Sequence, residues 1–425
     1  MDTKHMQKKK ILIGFDLTDS YAQISYLFPE QNHPETMKVL PTEQYNIPVC
    51  LCKKQGVNQW YYGQQAQKSA KEGKGELLTN LYSLALESDT LTVDGQVIQT
   101  GEILLLFVKK CLGMLNILLE GSEVECLMIT VERLTEKAAQ VMKFLIRELP
   151  FDSERIHVQT HEESLFFYML YQDKQLWNHD VVVFDYSDAL MQTFYMTINR
   201  KTTPHVVSIE KAVHKDFPLP LTEEQMIDKK STYAVLDQRF LHFVQDYVRE
   251  KLISSVYLIG KGFEGEWYTE SLAFLCRTRR VFGGNNLYSK GACYAAKEKK
   301  APGELTDSYL FLGKDKLKSN IGVLALKDGA ETCYSLLDAG ISWFEAKREQ
   351  LFLLDEGNEL DFVVTSLYGK EARLCRMELK GLAVRPPKTT RLSLRLEMKN
   401  DYQLIVHVRD VGFGDFFPAS DTEWF

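Results

Sequence analysis

Residues 11–27 read ILIGFDLTDSYAQISYL and residues 181–196 read VVVFDYSDALMQTFYM. Each is an apolar strand that ends in an aspartate, Asp16 or Asp185, followed by a tight turn and a returning strand. A short run this apolar, bounded by turn residues, predicts a strand buried on both faces. A carboxylate at the strand end suits two roles. It caps the turn, or it holds a hydrated Mg²⁺ while the backbone N–H groups of the turn hold phosphate. Two copies of the pattern point to a duplicated strand-hairpin-helix unit.

Further strands are expected at Cys126–Val131, Ile156–Gln159 and Val256–Gly260. Helices are expected at Ile103–Leu119, Glu136–Glu148, Glu162–Tyr171, Thr232–Leu252, Tyr268–Leu275 and Leu287–Lys297. In the second of these, Ala138, Val141, Met142, Leu145 and Leu149 return every three or four residues and line one face. Strands interleaved with covering helices make an α/β core. After Ala296 the chain becomes charged, with a Pro302-Gly303 breaker, and residues 299–306 read as a linker. Beyond it the period changes to two: Leu392, Leu394, Leu396 and Met398 alternate with polar residues, and Leu404, Val406 and Val408 do so again after Asn400-Asp401. Residues 307–425 are therefore expected to be antiparallel β.

The 425 residues carry 51 Lys+Arg against 58 Asp+Glu, a formal charge of −7, which disfavours nucleic acid as a partner. The eight cysteines show no C-x-x-C spacing, so neither a disulfide framework nor a zinc site is indicated, and reduced thiols in the cytoplasm are expected. Lys8-Lys9-Lys10 before an apolar run imitates a signal peptide, but Asp16 interrupts the run. The apolar stretch Ile103–Leu119 contains Lys109 and Lys110 and reads as a buried helix, not a membrane span. None of the nine histidines pairs with Cys or Ser in a nucleophile motif, and they read as satisfied surface or core residues.

The order of motifs is more specific than any one of them. After the first hairpin come VDGQVIQTGEILLLFVKKCLG (93–113), CLMITV (126–131), QTHEESLFFYMLY (159–171), the second hairpin, VYLIGKGFEGEW (256–267) and NNLYSKGACYAA (285–296). This series resembles the nucleotide-binding domain of the seventy-kilodalton heat-shock chaperones, members of the actin and hexokinase superfamily. LLDAGISWFEAKREQLFLL (336–354), MELKGL (377–382) and RLSLRLEMKNDYQLIVHVRD (391–410) look like pieces of the chaperones' peptide-binding β-sandwich. The resemblance implies a two-lobed, actin-like α/β domain (a duplicated ribonuclease-H-like fold) over residues 8–298, with lobe I at about 8–180 and lobe II at 181–298. The β-sandwich would follow at 307–425 without a helical lid. It also implies ATP and Mg²⁺ as cofactors, with Asp16, Asp185, Glu162, Gly260 and Gly262 as vestigial contacts. It assigns no catalytic residue and no separate metal site.

The departures carry the functional expectation. The first phosphate loop reads Asp16-Leu17-Thr18-Asp19-Ser20 where the family has Asp-Leu-Gly-Thr-Thr. The second reads Asp185-Tyr186-Ser187-Asp188-Ala189-Leu190 where it has Asp-Leu-Gly-Gly-Gly-Thr. Glycines let backbone approach a phosphate, and here they are replaced. Asp19, Asp188 and Glu163 would add negative charge beside a triphosphate, and two like charges about 4 Å apart repel by about 4 kcal/mol at an effective dielectric near 20. No Lys or Arg lies between Lys74 and Lys109, where the family's catalytic lysine is expected. Only a short connection, Asn199 to Lys230, stands where the family has its adenine clamp. The cleft is expected to be open, filled by Tyr186 and Leu190, or occupied. Asp16 and Asp185 either cap their hairpins or keep a Mg²⁺ contact; Gly260 and Gly262 serve a tight turn or adenosine. Phe413, Phe416, Phe417, Trp424 and Phe425 form either a packed tail or an apolar edge for another chain.

The expected function is that of a degenerate chaperone-like protein, a pseudo-ATPase with lost or weak activity, acting as a protein-binding or regulatory module; any enzymatic activity would be ATP hydrolysis. Its partners would be proteins or extended peptides. The alternatives are an active, divergent ATP-dependent chaperone or ATPase, and a sugar or acid kinase of the same superfamily, for which no substrate motif is present.

Overall fold

Asp16 and Asp185 occupy equivalent places in two sheets of related topology, and the pairing of each hairpin makes the duplication visible: Asp16 lies opposite Gln23, and Asp185 opposite Gln192. A computed structural model describes residues 9–39, 44–116, 122–187, 190–218, 228–265, 267–327, 329–367, 371–420 and 422–424. These form a mixed α/β unit, Met1–Phe311, and a β unit, Leu312–Phe425.

The first half of the α/β unit opens with β1 (Lys9–Leu17), β2 (Tyr21–Leu27) and β3 (Glu35–Thr36). An insertion follows: β4 (Ile47–Pro48), β5 (Cys50–Lys54), β6 (Trp60–Tyr62), α1 (Gly63–Lys71), β7 (Gly75–Thr79), α2 (Leu81–Glu87), β8 (Thr90–Val93), β9 (Gln96–Gln99) and α3 (Thr100–Gly113). Then come β10 (Ser122–Val131), α4 (Glu136–Glu148), β11 (Ile156–Thr160) and α5 (His161–Leu170). The sheet order is β11-β10-β1-β2-β3, with β10 and β11 parallel to β1 and the hairpin antiparallel. The second half repeats the plan with β12 (Asp180–Ser187), β13 (Leu190–Asn199), β14 (His205–His214), α6 (Lys229–Tyr247), β15 (Ile253–Ile259), α7 (Thr269–Leu275), β16 (Arg280–Gly284) and α8 (Leu287–Lys300). After α9 (Glu304–Ser308), β17 (Tyr309–Phe311) completes the order β16-β15-β12-β13-β14-β17.

The helices that end the two halves are exchanged. α5 follows the first sheet in sequence, yet its Leu165, Phe166 and Met169 pack with Val181, Val183 and Phe194 of the second. α8 follows the second sheet, and its Ala292, Ala295 and Ala296 pack with Leu12, Leu27, Cys126 and Met128 of the first. Small residues allow this close approach. A Cβ on Gly14 would stand 2.1 Å from the Ser289 carbonyl oxygen, and one on Gly291 1.9 Å from that of Ser164.

Two expectations are corrected here. The connection Asn199 to Lys230 is not merely a shortened clamp, because it contains β14, which pairs with β13 over nine residues. Residues 299–306 are not a free linker. Pro302 and Gly303 interrupt the helix only briefly, because the buried Glu298 carboxylate accepts hydrogen bonds from the Gly303 N–H and the Thr306 hydroxyl, each at 2.9 Å. The chain then adds β17 beside β14 before the unit boundary at Phe311/Leu312.

The second unit has two four-stranded antiparallel sheets. β18 (Ser319–Lys327), β19 (Ala330–Leu337), β21 (Glu359–Ser366) and β22 (Ala372–Glu378) lie in the order β19-β18-β21-β22. β20 (Lys347–Leu354), β23 (Thr390–Met398), β24 (Leu404–Asp410) and β25 (Glu423–Trp424) lie in the order β20-β23-β24-β25. The alternating leucines at 392, 394 and 396 are fully buried, each contributing about 1.5–3 kcal/mol of transfer free energy. Of the C-terminal aromatics, Trp424 is buried and donates to the Lys380 carbonyl, whereas Phe413 and Phe416 are exposed; Phe425 lies outside the described residues. Among the described residues no helix is long and apolar enough to cross a membrane.

Candidate functional site

The two hairpin aspartates are joined by a pair of aromatic rings. Both rings come from helix N-termini: His161 is the first residue of α5 and Tyr288 the second of α8, and the exchange of these helices brings the two together. The rings stack with centroids 3.9 Å apart and planes 11° from parallel. His161 Nε2–H donates to Asp16 Oδ1 at 2.7 Å, and the Tyr288 hydroxyl donates to Asp185 Oδ2 at 2.7 Å. Ser187 donates to the other Asp185 oxygen. All four members of this chain, Asp16, His161, Tyr288 and Asp185, are buried. Asp16 Oδ2 is also buried and finds no hydrogen-bond partner among the described residues.

Burial sets the electrostatics. It pushes the Asp185 carboxyl above the usual carboxylate range, against the lowering effect of its bonds from Ser187 and Tyr288. It also raises the Tyr288 phenol well above its ordinary value, with the neighbouring Asp185 charge adding to the effect. Tyr288 is thereby kept as a neutral donor, the form its bond to Asp185 requires.

Beside the stack lies a cleft of about 480 Å³, reached by Tyr21, Asn46, Gln64, Asp185, Gly260 and Tyr288. Its remaining lining is rich in carboxamides and hydroxyls, and among the described residues that line it Lys261 is the sole cation, against Asp185 and Glu264. Such a surface hydrogen-bonds neutral groups readily but offers little to balance a polyphosphate.

The residues singled out from sequence are only partly gathered here. Asp16 and Asp185 are at the centre. Gly260 lines the cleft, with a φ of 95°, and opens the short turn Lys261–Phe263. A Cβ there would lie 2.5 Å from Ser187 Oγ, and one on Gly262 would lie 2.3 Å from the Tyr186 ring, so both glycines make room for the second hairpin. Glu162 is half-buried in the first turn of α5 and is not among the residues lining the cleft. Tyr186 does not fill the cleft. It is buried in the core beneath the second sheet against Phe217, Phe263 and Trp267, its hydroxyl bonded to the Pro218 carbonyl. Leu190 is not among the lining residues either.

The added charges also have other positions. Asp19 accepts from the Ser83 N–H at 2.7 Å and from its hydroxyl, which ties the first hairpin to α2. Thr18 folds back on its own turn, donating to the Tyr21 carbonyl and accepting from the Tyr21 N–H. Glu163 sits in the first turn of α5, where its N–H is capped by Thr160. Asp188 and Ala189 lie outside the described residues. Sequence reasoning missed His161 and Tyr288. Their signals were present, one immediately before Glu162 and the other within NNLYSKG, but nothing local says that they stack.

Fold and site together define a class: a mixed α/β unit that carries two aspartate hairpins, and an antiparallel β unit. The chain belongs to the family described as "Family of unknown function (DUF5716) C-terminal", whose model matches residues 33–314. Residues 316–425 match a second model, "Domain of unknown function (DUF8552)". The two matches meet within a few residues of the structural boundary at Phe311/Leu312. A search of the curated proteins returns no match.

Proposed function

We propose that the first unit is an actin-like scaffold, related to the chaperone nucleotide-binding domain, that has given up ATP hydrolysis and works with the β unit as a protein-binding or regulatory module. One observation carries this reading: the Asp16–His161 and Tyr288–Asp185 pairs, stacked ring on ring, occupy the space between the two aspartate hairpins. A metal-bound phosphate placed between those carboxylates would have to displace both rings and break both hydrogen bonds. Leaving a buried hydrogen-bonding group unsatisfied costs about 1–3 kcal/mol, more where the group is charged. The substitution of loop glycines and the scarcity of cations in the cleft point the same way. Proteins or extended peptides are the partners this reading supplies, and the cytoplasm is its compartment, in keeping with eight free thiols of which five are buried.

A second reading, an active divergent ATPase or ATP-dependent chaperone, is favoured by the cleft of about 480 Å³ that remains beside Asp185 and Gly260. Calorimetry with Mg-ATP at about 1 mM separates the two. The scaffold reading expects no heat and no phosphate release. Steady ATP turnover that disappears in Asp16→Asn or Asp185→Asn would overturn it.

A further inference from the structure

β20 is the edge of its sheet: it pairs with β23 over eight residues, and no strand among the described residues pairs with its other side. An edge strand offers free N–H and C=O groups to another chain, and proteins commonly guard it with proline, bulges or central charge. β20 has no proline, and its Leu351 and Leu353 are each 53% exposed. Exposed charges stand at both ends: Lys347, Arg348 and Glu349 at the start, Asp355 and Glu356 just past the finish.

A second copy running antiparallel meets these ends in opposite order. For the exposed face to continue across the joint, odd-numbered residues must lie opposite odd-numbered ones, since a shift of one residue sends the side chains to the other face. With a two-fold axis at Leu351, Leu351 faces its own copy and Lys347 faces Asp355 twice. Arg348 then faces Leu354, Glu349 faces Leu353, and no like charges are opposed. A parallel arrangement in register would set each charge against itself. Self-complementarity about one axis is the requirement of an isologous dimer contact.

We propose that β20 is a self-association strand, through which two copies of the chain join their second units into one continuous antiparallel sheet. The backbone of Arg348–Leu354 supplies the hydrogen bonds, and the Lys347–Asp355 pairs set the register. Asp355 already has an exposed ion pair with Lys388 at 3.5 Å, a contact weak enough to be shared. This interface does not depend on whether the first unit binds ATP.

Sedimentation equilibrium or light scattering on the full chain at about 100 µM tests it, because dimer population depends on protomer concentration. The wild type is expected to be a dimer. Leu351→Lys, which places two like charges at the axis, is expected to weaken the dimer by at least about a hundredfold. Lys347→Glu is expected to give monomer, and Lys347→Glu combined with Asp355→Lys to restore the dimer. These positions are on the surface, so circular dichroism should stay unchanged. A monomeric wild type at that concentration, including one whose edge is taken by a different protein, overturns the proposal. So does a dimer that neither the single changes nor the charge swap disturbs.

Discussion

Asp185 shows how environment reassigns a residue whose type suggests phosphate chemistry. Its carboxyl is held above the usual range by burial, so the folded chain binds that proton more tightly than the unfolded chain does. Its contribution to stability is therefore greatest at acidic pH. It is lost as pH rises from the ordinary value of 3.8 through the raised one. Asp185→Asn lacks this dependence while keeping one acceptor for Tyr288. Urea unfolding of both proteins at about pH 4 and about pH 7 should show the wild type losing ground to the variant at the higher pH. A difference that is constant, or that changes in the opposite sense, would count against the burial argument. The aspartate itself was legible in sequence, at the end of an apolar run. Its donor was not, because Tyr288 lies far along the chain.

At the level of elements, the decisive contact is the crossing of α5 and α8. Gly291 permits it, since a methyl group there would lie 1.9 Å from the Ser164 carbonyl oxygen. Gly291→Ala should destabilise the first unit by about 1–3 kcal/mol through overpacking, seen as a lowered denaturation midpoint with an unchanged slope. A variant as stable as the wild type would mean that the helices are not pressed together as described. The two helices were readable from their periodicity and apolar content, and the hairpins from their strand-turn-strand pattern. β14 was not, because its residues, from His205 to His214, mix polar and apolar side chains with few buried positions, and pairing with β13 defines the strand. Which sheet each helix covers was also hidden, since exchange between the halves depends on contacts distant in sequence.

For the whole molecule, two independent divisions agree: the two compact units meet at 311/312, and the family matches break between 314 and 316. The second unit has its own core, with Leu392, Leu394, Leu396 and Val408 fully buried, and an internal buried ion pair between Arg385 and Asp410 at 2.6 Å. Residues 312–425 expressed alone should therefore fold cooperatively, with strand-type circular dichroism and a sharp thermal transition. A broad, non-cooperative melt of that fragment would show that the core is incomplete without the first unit. The sequence placed this boundary several residues early because the charged Lys-rich segment looked like solvent-exposed linker. In the fold, Glu298 gathers it in, and β17 extends the first unit past it.

Local physics in the chain was sufficient for the strands, the amphipathic helices, the duplicated hairpins and the change to antiparallel β, because periodicity and turn chemistry depend on residues a few positions apart. The replaced loop glycines were equally plain. Tertiary structure alone decided what took their place. It set Asp19 on Ser83, moved Tyr186 into the core beneath the second sheet, and joined the aspartates through His161 and Tyr288. Each of those outcomes joins elements remote in sequence, and the last depends on the exchange of α5 and α8 between the two sheets, which brings the two rings together.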